Sequence, residues 1–429
     1  MVHYPQAWTT IFATRKDRRS FVEACLERSQ SLPLEVILDA GDEGRVPIVG
    51  CNCGRDVLGR LLPNEGSPCE LHFVFESLAH PKHSERIQML NMGSSIAKFH
   101  QALGFESCRF FSSLLPQLTT ITWKDDWMED SHHLFPDPRS LPNLHSVTFE
   151  GLWRHSLAQL HNLTFFSIEH GIRHLDAEVL RLFVSNNPSL ESLELHASVV
   201  GSTGGPPVDL LNLKSLSIDS RPKVLSSVIR VPAFQRLSSL QISLEDGIGD
   251  LHTLRATGDG ISLSAQSWAH DVAEDWEYLT GYARPTIRHV RIYDQQPVDC
   301  YPRDDFSTRI LALLEDAHTL DIGLSYSWCW GKLWAGLEEL GPHLTTIRFE
   351  ISEAMEPPGR WSDLGPYLVD QILNKIADLV ECRFGEGRAL SVVERMVVSE
   401  DEGVNRLQDR VWRKFCDDQK IGEYLASAL

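Results

Sequence analysis

The chain has 429 residues, 42% of them hydrophobic and 23% charged, which is ample material for a core. A formal net charge of -19, from 59 acidic against 40 basic residues, repels phosphate backbones and anionic headgroups, so nucleic acid and membrane surfaces are poor partners. Irregularly spaced cysteines, with no apolar run of signal-peptide or membrane-span length, point to reduced thiols in an intracellular protein, cytoplasmic or nuclear.

Residues 1–85 read as an N-terminal section. Its pattern predicts a helix near Ser20–Gln30 and strands near Leu34–Leu38 and Leu71–Phe75. Cys51, Cys53, Cys69 and His72 have the composition of a tetrahedral zinc site. C-x-C spacing is uncommon in such sites, however, and Leu71 and Phe73 fit a strand, so ordinary thiols are the simpler reading and no metal is assigned. His80 with His83, and His132 and His133 with Asp130 and Asp137, stand in polar, proline-containing stretches that read as solvated loops.

Residues 86–390 carry a recurring phrase of the form L-x-x-L-x-L. It appears as LPQLTTITW around Leu118, LPNLHSVTF around Leu144, LHNLTFFSI around Leu163, NPSLESLEL around Leu190, LLNLKSLSI around Leu213 and FQRLSSLQI around Leu237. Looser copies follow around Ile287, Ala317, Leu344 and Leu379. The second apolar position falls at Ile121, Val147, Phe166, Leu193, Leu216, Leu240, Val290, Leu320, Ile347 and Cys382. Most steps lie in or near the roughly 20–29 residues of leucine-rich repeats. The double step between Leu240 and Val290 is read as hiding a degenerate copy at Ile261–Leu263.

The x-L-x-L-x part alternates with period two, so each copy predicts a short strand with its apolar residues inward. The intervening segment returns as a helix or turn; His174–Asn187, with Leu175, Val179, Leu180 and Phe183 on one face, is the clearest helix. No copy can bury its own apolar edge, but stacked copies share one core. The expected fold is therefore α/β, an irregular leucine-rich-repeat solenoid with a curved parallel sheet and helices or turns on its convex side. A generic α/β domain with a doubly wound sheet is the competing reading.

Glycine- and proline-rich inserts at Gly201–Pro207 and Gln295–Asp305 read as loops, and Gly247–Gly249 and Gly258–Gly260 as turns. Tyr326, Trp328, Trp330 and Trp334 form an aromatic cluster that is either core or an interface anchor. Residues 391–429 carry Val404, Leu407, Val411 and Phe415 on one stripe and predict a helical cap over the last strand.

The phrases resemble the irregular leucine-rich-repeat region of the fungal, basidiomycete-type F-box-like protein family. YPQAWTTI (Tyr4–Ile11) followed by FVEACLERSQSLPLEVIL (Phe21–Leu38) is similar to the seam where a "P-x-L-W" segment leads to "L-x-R-S-x-x-x-P-L". HSERIQML (His83–Leu90) is similar to the "R-I-x-x-L" strand that opens the family's repeats. The F-box, which precedes this seam and binds a Skp-type adaptor of cullin ubiquitin ligases, is not visible. Ser31–Leu38 imitates its "L-P-x-E-I" start, but Asp39–Gly44 breaks any helix at once, so a strand is expected there and a remnant F-box is the alternative. The family's asparagine ladder is also missing: Leu152, Gly171, Ser198 and Arg221 stand three residues past their strands.

No G-x-S-x-G, G-x-x-x-x-G-K-[ST] or H-E-x-x-H motif is present. In a stack, the outward strand residues line the concave surface. They include Thr120, Thr122, Ser146, Thr148, Glu150, Phe165, Ser167, Glu169, Ser192, Glu194, His196, Ser215, Ser217 and Asp219 in the first half. Ser239, Gln241, His289, Arg291, Tyr293, Thr346, Arg348 and Glu350 follow in the second. A protein segment with basic groups toward Glu150, Glu169, Glu194 and Asp219 would suit this face. The resemblance implies a non-enzymatic scaffold like the substrate-recognition part of an F-box ubiquitin-ligase receptor. It needs no cofactor, and the Skp-type adaptor and cullin join only if an F-box is supplied. The alternative is an enzyme on an α/β fold with a dispersed active site.

Overall fold

Period-two alternation buries every second residue of a strand, and a parallel neighbour in register aligns those residues into rows. The computed structural model describes residues 4–13, 19–38, 70–93, 110, 113–124, 138–150, 157–169, 174–218, 225–244, 251–268, 287–294, 316–324, 343–344, 346–351 and 391–392. They form an α/β fold of mostly parallel strands with few helices. The chain divides into two compact units, residues 1–220 with 227–230 and residues 221–226 with 231–429.

In the first unit β1 (Thr10–Ala13), β2 (Leu34–Leu38), β3 (Ile87–Met92), β4 (Thr120–Lys124), β5 (Ser146–Glu150) and β6 (Phe165–Glu169) lie side by side in chain order, all parallel. After the short β7 (His174–Asp176), which pairs with β9 (Ser198–Val200) in a separate ribbon, the order continues with β8 (Ser192–Leu195) and β11 (Ser215–Ile218). β10 (Val208–Asp209) and β12 (Ile229–Arg230) make a second ribbon.

The pairing aligns Val36, Leu90, Ile121, Val147, Phe166, Leu193 and Leu216 in one inward row. Leu38, Met92, Trp123, Phe149, Ile168, Leu195 and Ile218 form the next, and no member of either row is more than 1% exposed. Each such side chain contributes about 1.5–3 kcal/mol by leaving water. A further inward position lies three residues before the first leucine of each phrase, at Leu115, Leu141, Leu160, Asn187 and Leu210, all buried. Three residues is one turn, closed by bonds such as Leu118 N–H to Leu115 O at 3.1 Å and Leu190 N–H to Asn187 O at 3.2 Å.

Just before each strand one carbonyl accepts two N–H groups from the following copy. Thr119 O takes His145 and Ser146, Thr164 O takes Glu191 and Ser192, and Glu191 O takes Lys214 and Ser215. Asparagines tie the same turns together on the entry side of the strand. Asn143 Nδ2 donates to Pro116 O at 2.6 Å, and Asn212 Nδ2 reaches Pro188 O at 3.5 Å.

Among the described residues, the three longer helices of the unit are α1 (Arg19–Arg28), α2 (Glu70–Ala79) and α3 (Ala177–Asn186). α3 starts at Asp176, whose Oδ1 accepts from Glu178 and Val179 N–H, and it buries Leu180, Phe183 and Val184. The Phe183 ring stands 4.4 Å from that of Phe166, which fixes this helix to the sheet. α2 corrects the expected strand at Leu71–Phe75. The buried Val74, Phe75 and Leu78 recur at helical spacing, and Glu76 between them is exposed. The Gly201–Pro207 insert is irregular as expected, tied down where Thr203 Oγ1 donates to Ser227 O at 3.0 Å.

The two phrases at the seam meet physically. Arg86, 8% exposed, donates from Nη2 to Ser29 Oγ at 2.7 Å and from Nε to Leu32 O at 3.0 Å, across more than fifty residues of chain. His83, expected in a solvated loop, is instead half-buried within the single helical turn Pro81–Ser84. Its pKa falls from 6.5 to about 4, first through desolvation and then through the charges of Arg86 and Lys82 and through His80. The unfolded chain takes this proton near 6.5 and the folded chain only near 4, so stability declines as pH falls through that window. Denaturant titrations from about pH 7 to pH 4 should show a shallower decline for His83→Gln than for wild type; parallel curves would refute the assignment.

The second unit aligns the same phrase positions, with Val290 and Leu320 buried. β13 (Ser239–Leu244), β16 (His289–Asp294), β17 (Thr319–Leu324) and β18 (Thr346–Ile351) are parallel and align Leu240, Val290, Leu320 and Ile347, as the phrase requires. The expected copy at Ile261–Leu263 is corrected. β14 (Leu251–Gly258) and β15 (Ile261–Trp268) form an antiparallel hairpin, with β14 antiparallel to β13, so the double step is an excursion and not a hidden repeat. Its Asp259–Gly260 turn has φ of 47° and 77°, the signature of a tight hairpin connection. The strand beside β18 is β19 (Ser391–Val392), which opens the segment expected to form the cap; Cys382 and the rest of that segment lie outside the described residues. So do the aromatic cluster at Tyr326–Trp334, the Gln295–Asp305 insert, Cys51, Cys53, Cys69, His132 and His133.

Candidate interaction face

Residues between the inward ones must point to the opposite side of the sheet. In the first unit they form three rows. One runs Thr10, Glu35, Met89, Thr120, Ser146, Phe165, Ser192 and Ser215. The second runs Phe12, Ile37, Asn91, Thr122, Thr148, Ser167, Glu194 and Ser217. Lys124, Glu150 and Glu169 make the third, and His196 extends it beside Glu169, its N–H donating to Ile168 O at 3.1 Å.

Glu150, Glu169, Glu194 and His196 are thus brought to one face, each half-buried. Asp219 lies outside the described residues. Adjacent parallel strands stand about 4.8 Å apart, so Glu150 and Glu169 concentrate negative potential on neighbouring strands. Lys124 Nζ, 3.1 Å from Glu150 Oε2, offsets part of it. This pair is substantially exposed and is worth no more than about 1 kcal/mol, so an incoming cation can compete with it. Among these carboxylates Ser167 is 1% exposed and its Oγ has no hydrogen-bond partner.

The second unit's face has its own rows: Ser239, His289, Thr319 and Thr346, then Gln241, Arg291, Asp321 and Arg348. Arg291 and Asp321 are register partners on neighbouring strands, and His289 Nε2 lies 2.8 Å from Asp321 Oδ2. Tyr293 holds the strand position opposite Ser243. Sequence reasoning does not single out Lys124 and Asp321, although both occupy outward places within recognised phrases. It also misses Phe12, Ile37 and Met89, because β1 to β3 precede the recurring phrase.

Among the described residues there is no group of three or more His, Cys, Asp or Glu side chains able to hold a metal ion. None of the described helices is long and apolar enough to cross a membrane. No protein-family model, curated protein or solved structure matches the chain.

Proposed function

We propose that this chain is a non-enzymatic protein-interaction scaffold, an irregular leucine-rich-repeat stack whose outward strand face captures a segment of another protein. The observation that carries the reading is the in-register row of parallel strands in the first unit, which sets Glu150 beside Glu169, with Glu194 in the adjoining row on the next strand, among Thr and Ser. Strand order follows chain order there, whereas a doubly wound nucleotide-binding sheet reverses its order at a switch point. Short polar side chains on a broad sheet suit a peptide, and the carboxylates suit its Lys and Arg. With the resemblance of the seam phrases, the role is that of the substrate-recognition part of an F-box/leucine-rich-repeat ubiquitin-ligase receptor.

The test is capture. Wild type and a triple variant, Glu150→Lys, Glu169→Lys and Glu194→Lys, are used as bait for proteins from cells, with circular dichroism to verify folding. The variant should lose its specific partners by at least about tenfold, because each new cation repels the same ligand. An unchanged set of partners would remove this face from consideration. The enzyme alternative draws on His289 and Asp321, since a carboxylate at this distance orients an imidazole base. Ser239 is its strand neighbour, and failure of a fluorophosphonate probe to label Ser239 would dismiss that reading.

A further inference from the structure

The rows that become acidic at β5, β6 and β8 begin as something else. Phe12 is 52% exposed and Met89 42% exposed, and Ile37 lies between them, half-buried, as the register partner of Phe12. All three point outward, because their neighbours Ile11, Val36 and Leu90 are the buried ones. Among the described residues, Glu35 and Thr10, whose Oγ1 donates to Glu35 Oε2 at 3.1 Å, interrupt this apolar corner. Asn91, Thr122 and Thr148 then continue the Ile37 row up to Ser167 and Glu194.

We infer that the segment captured by the first unit is extended and carries an apolar anchor residue on the Phe12–Ile37–Met89 corner, followed at a fixed span by Lys or Arg on Glu150 and Glu169. The inference rests on the reading of this face as a capture surface and adds the chemistry of the partner. Strand spacing sets the span. From Ile37 on β2 to Glu150 on β5 is three strand steps of about 4.8 Å plus two residues along the strand, roughly 16 Å in all. From Ile37 to Glu169 it is about 20 Å. An extended chain covers this in about five or six residues.

The middle of the path decides between an extended segment and a helix. Asn91, Thr122 and Thr148 offer short donors and acceptors that an extended backbone can use. A helix satisfies its own backbone and would press apolar side chains onto those hydroxyls.

The experiment uses the full chain and fluorescein-labelled synthetic peptides read by anisotropy. Each carries one Phe, a Gly/Ser spacer of about one, five or eleven residues, and a Lys-Arg-Lys end. The five-residue spacer should bind roughly tenfold tighter than the same peptide with Ser in place of Phe. Phe12→Ser with Met89→Ser should erase that advantage while leaving the contribution of the basic end. Met89→Ser alone, on an inner strand, should reduce it if the double variant unfolds. If Phe brings no advantage but Glu169→Lys still weakens binding, the anchor is wrong and the acidic capture face stands. If binding ignores both Phe and Glu169→Lys, both readings fall. Tightest binding at the eleven-residue spacer would overturn the extended span.

Discussion

Asn187→Ala should lower the stability of the first unit by about 3–5 kcal/mol, and Asn187→Leu should do almost as much damage although leucine is what neighbouring copies carry there. The reason lies one copy earlier. Asn162 has φ of 64°, a left-handed conformation that asparagine tolerates. Leu118, Leu144 and Leu190 N–H each bond to the carbonyl three residues back, whereas Leu163 N–H donates at 2.9 Å to Asn187 Oδ1. Asn187 Nδ2 then donates to Leu160 O at 2.9 Å and to Phe183 O at 2.8 Å. One fully buried amide therefore joins two copies and the end of α3.

Truncation strands three backbone groups in the interior, each worth about 1–3 kcal/mol, with less than full additivity. Leucine would fill the volume and restore the phrase but could bond to none of them. Thermal melts of the three proteins distinguish the accounts. Similar losses, on the order of 10 °C, support the hydrogen-bond reading, whereas wild-type stability for Asn187→Leu would show that shape alone matters at this position.

This site also shows how much of the fold is legible in the residues alone. The two inward rows are readable because period-two alternation is written directly in residue type, and the pairing registers place Ile121, Val147, Phe166, Leu193 and Leu216 as neighbours in the first unit and Leu240, Val290, Leu320 and Ile347 at neighbouring positions in the second. The outward acidic residues follow from the same parity. Asn187 does not, because its value depends on a left-handed residue in another copy, and conformation is not spelled by a single letter. Leu71–Phe75 misleads since a short apolar run has no decisive period, and burial of Val74, Phe75 and Leu78 only emerges from the neighbours. Ile261–Leu263 has the parity of a copy, yet its Asp-Gly turn two residues upstream, at Asp259–Gly260, is the stronger local signal and pairs it antiparallel. The charge partners Lys124 and Asp321 need the register, which sequence alone does not supply.

Gly258→Ala should be among the most damaging single-methyl additions in the second unit, costing about 3 kcal/mol or more. A Cβ at Gly258 would lie 2.5 Å from Arg236 O and from Ser238 N, and 2.6 Å from Leu237 Cα. All three are backbone atoms, so no side chain can swing aside. The obstruction falls where Ser238 N–H donates to Thr257 O at 3.1 Å, the bond that starts the β13–β14 ladder. Overpacking in a well-packed region costs about 1–3 kcal/mol when side chains absorb it, and more when the backbone must shift.

Gly260, two residues on, is the control. It has φ of 77°, and a Cβ there would meet nothing within 4 Å, so Gly260→Ala brings strain but no clash and should cost only about 1 kcal/mol. Hydrogen exchange separates the two. Gly258→Ala should strip protection from Leu251–Trp268 and from Ser239–Leu244, while Gly260→Ala should loosen only the turn. Equal effects at the two glycines would mean that the hairpin end does not sit against the 236–238 backbone, and the assignment of Leu251–Trp268 as an excursion beside β13 would have to be withdrawn.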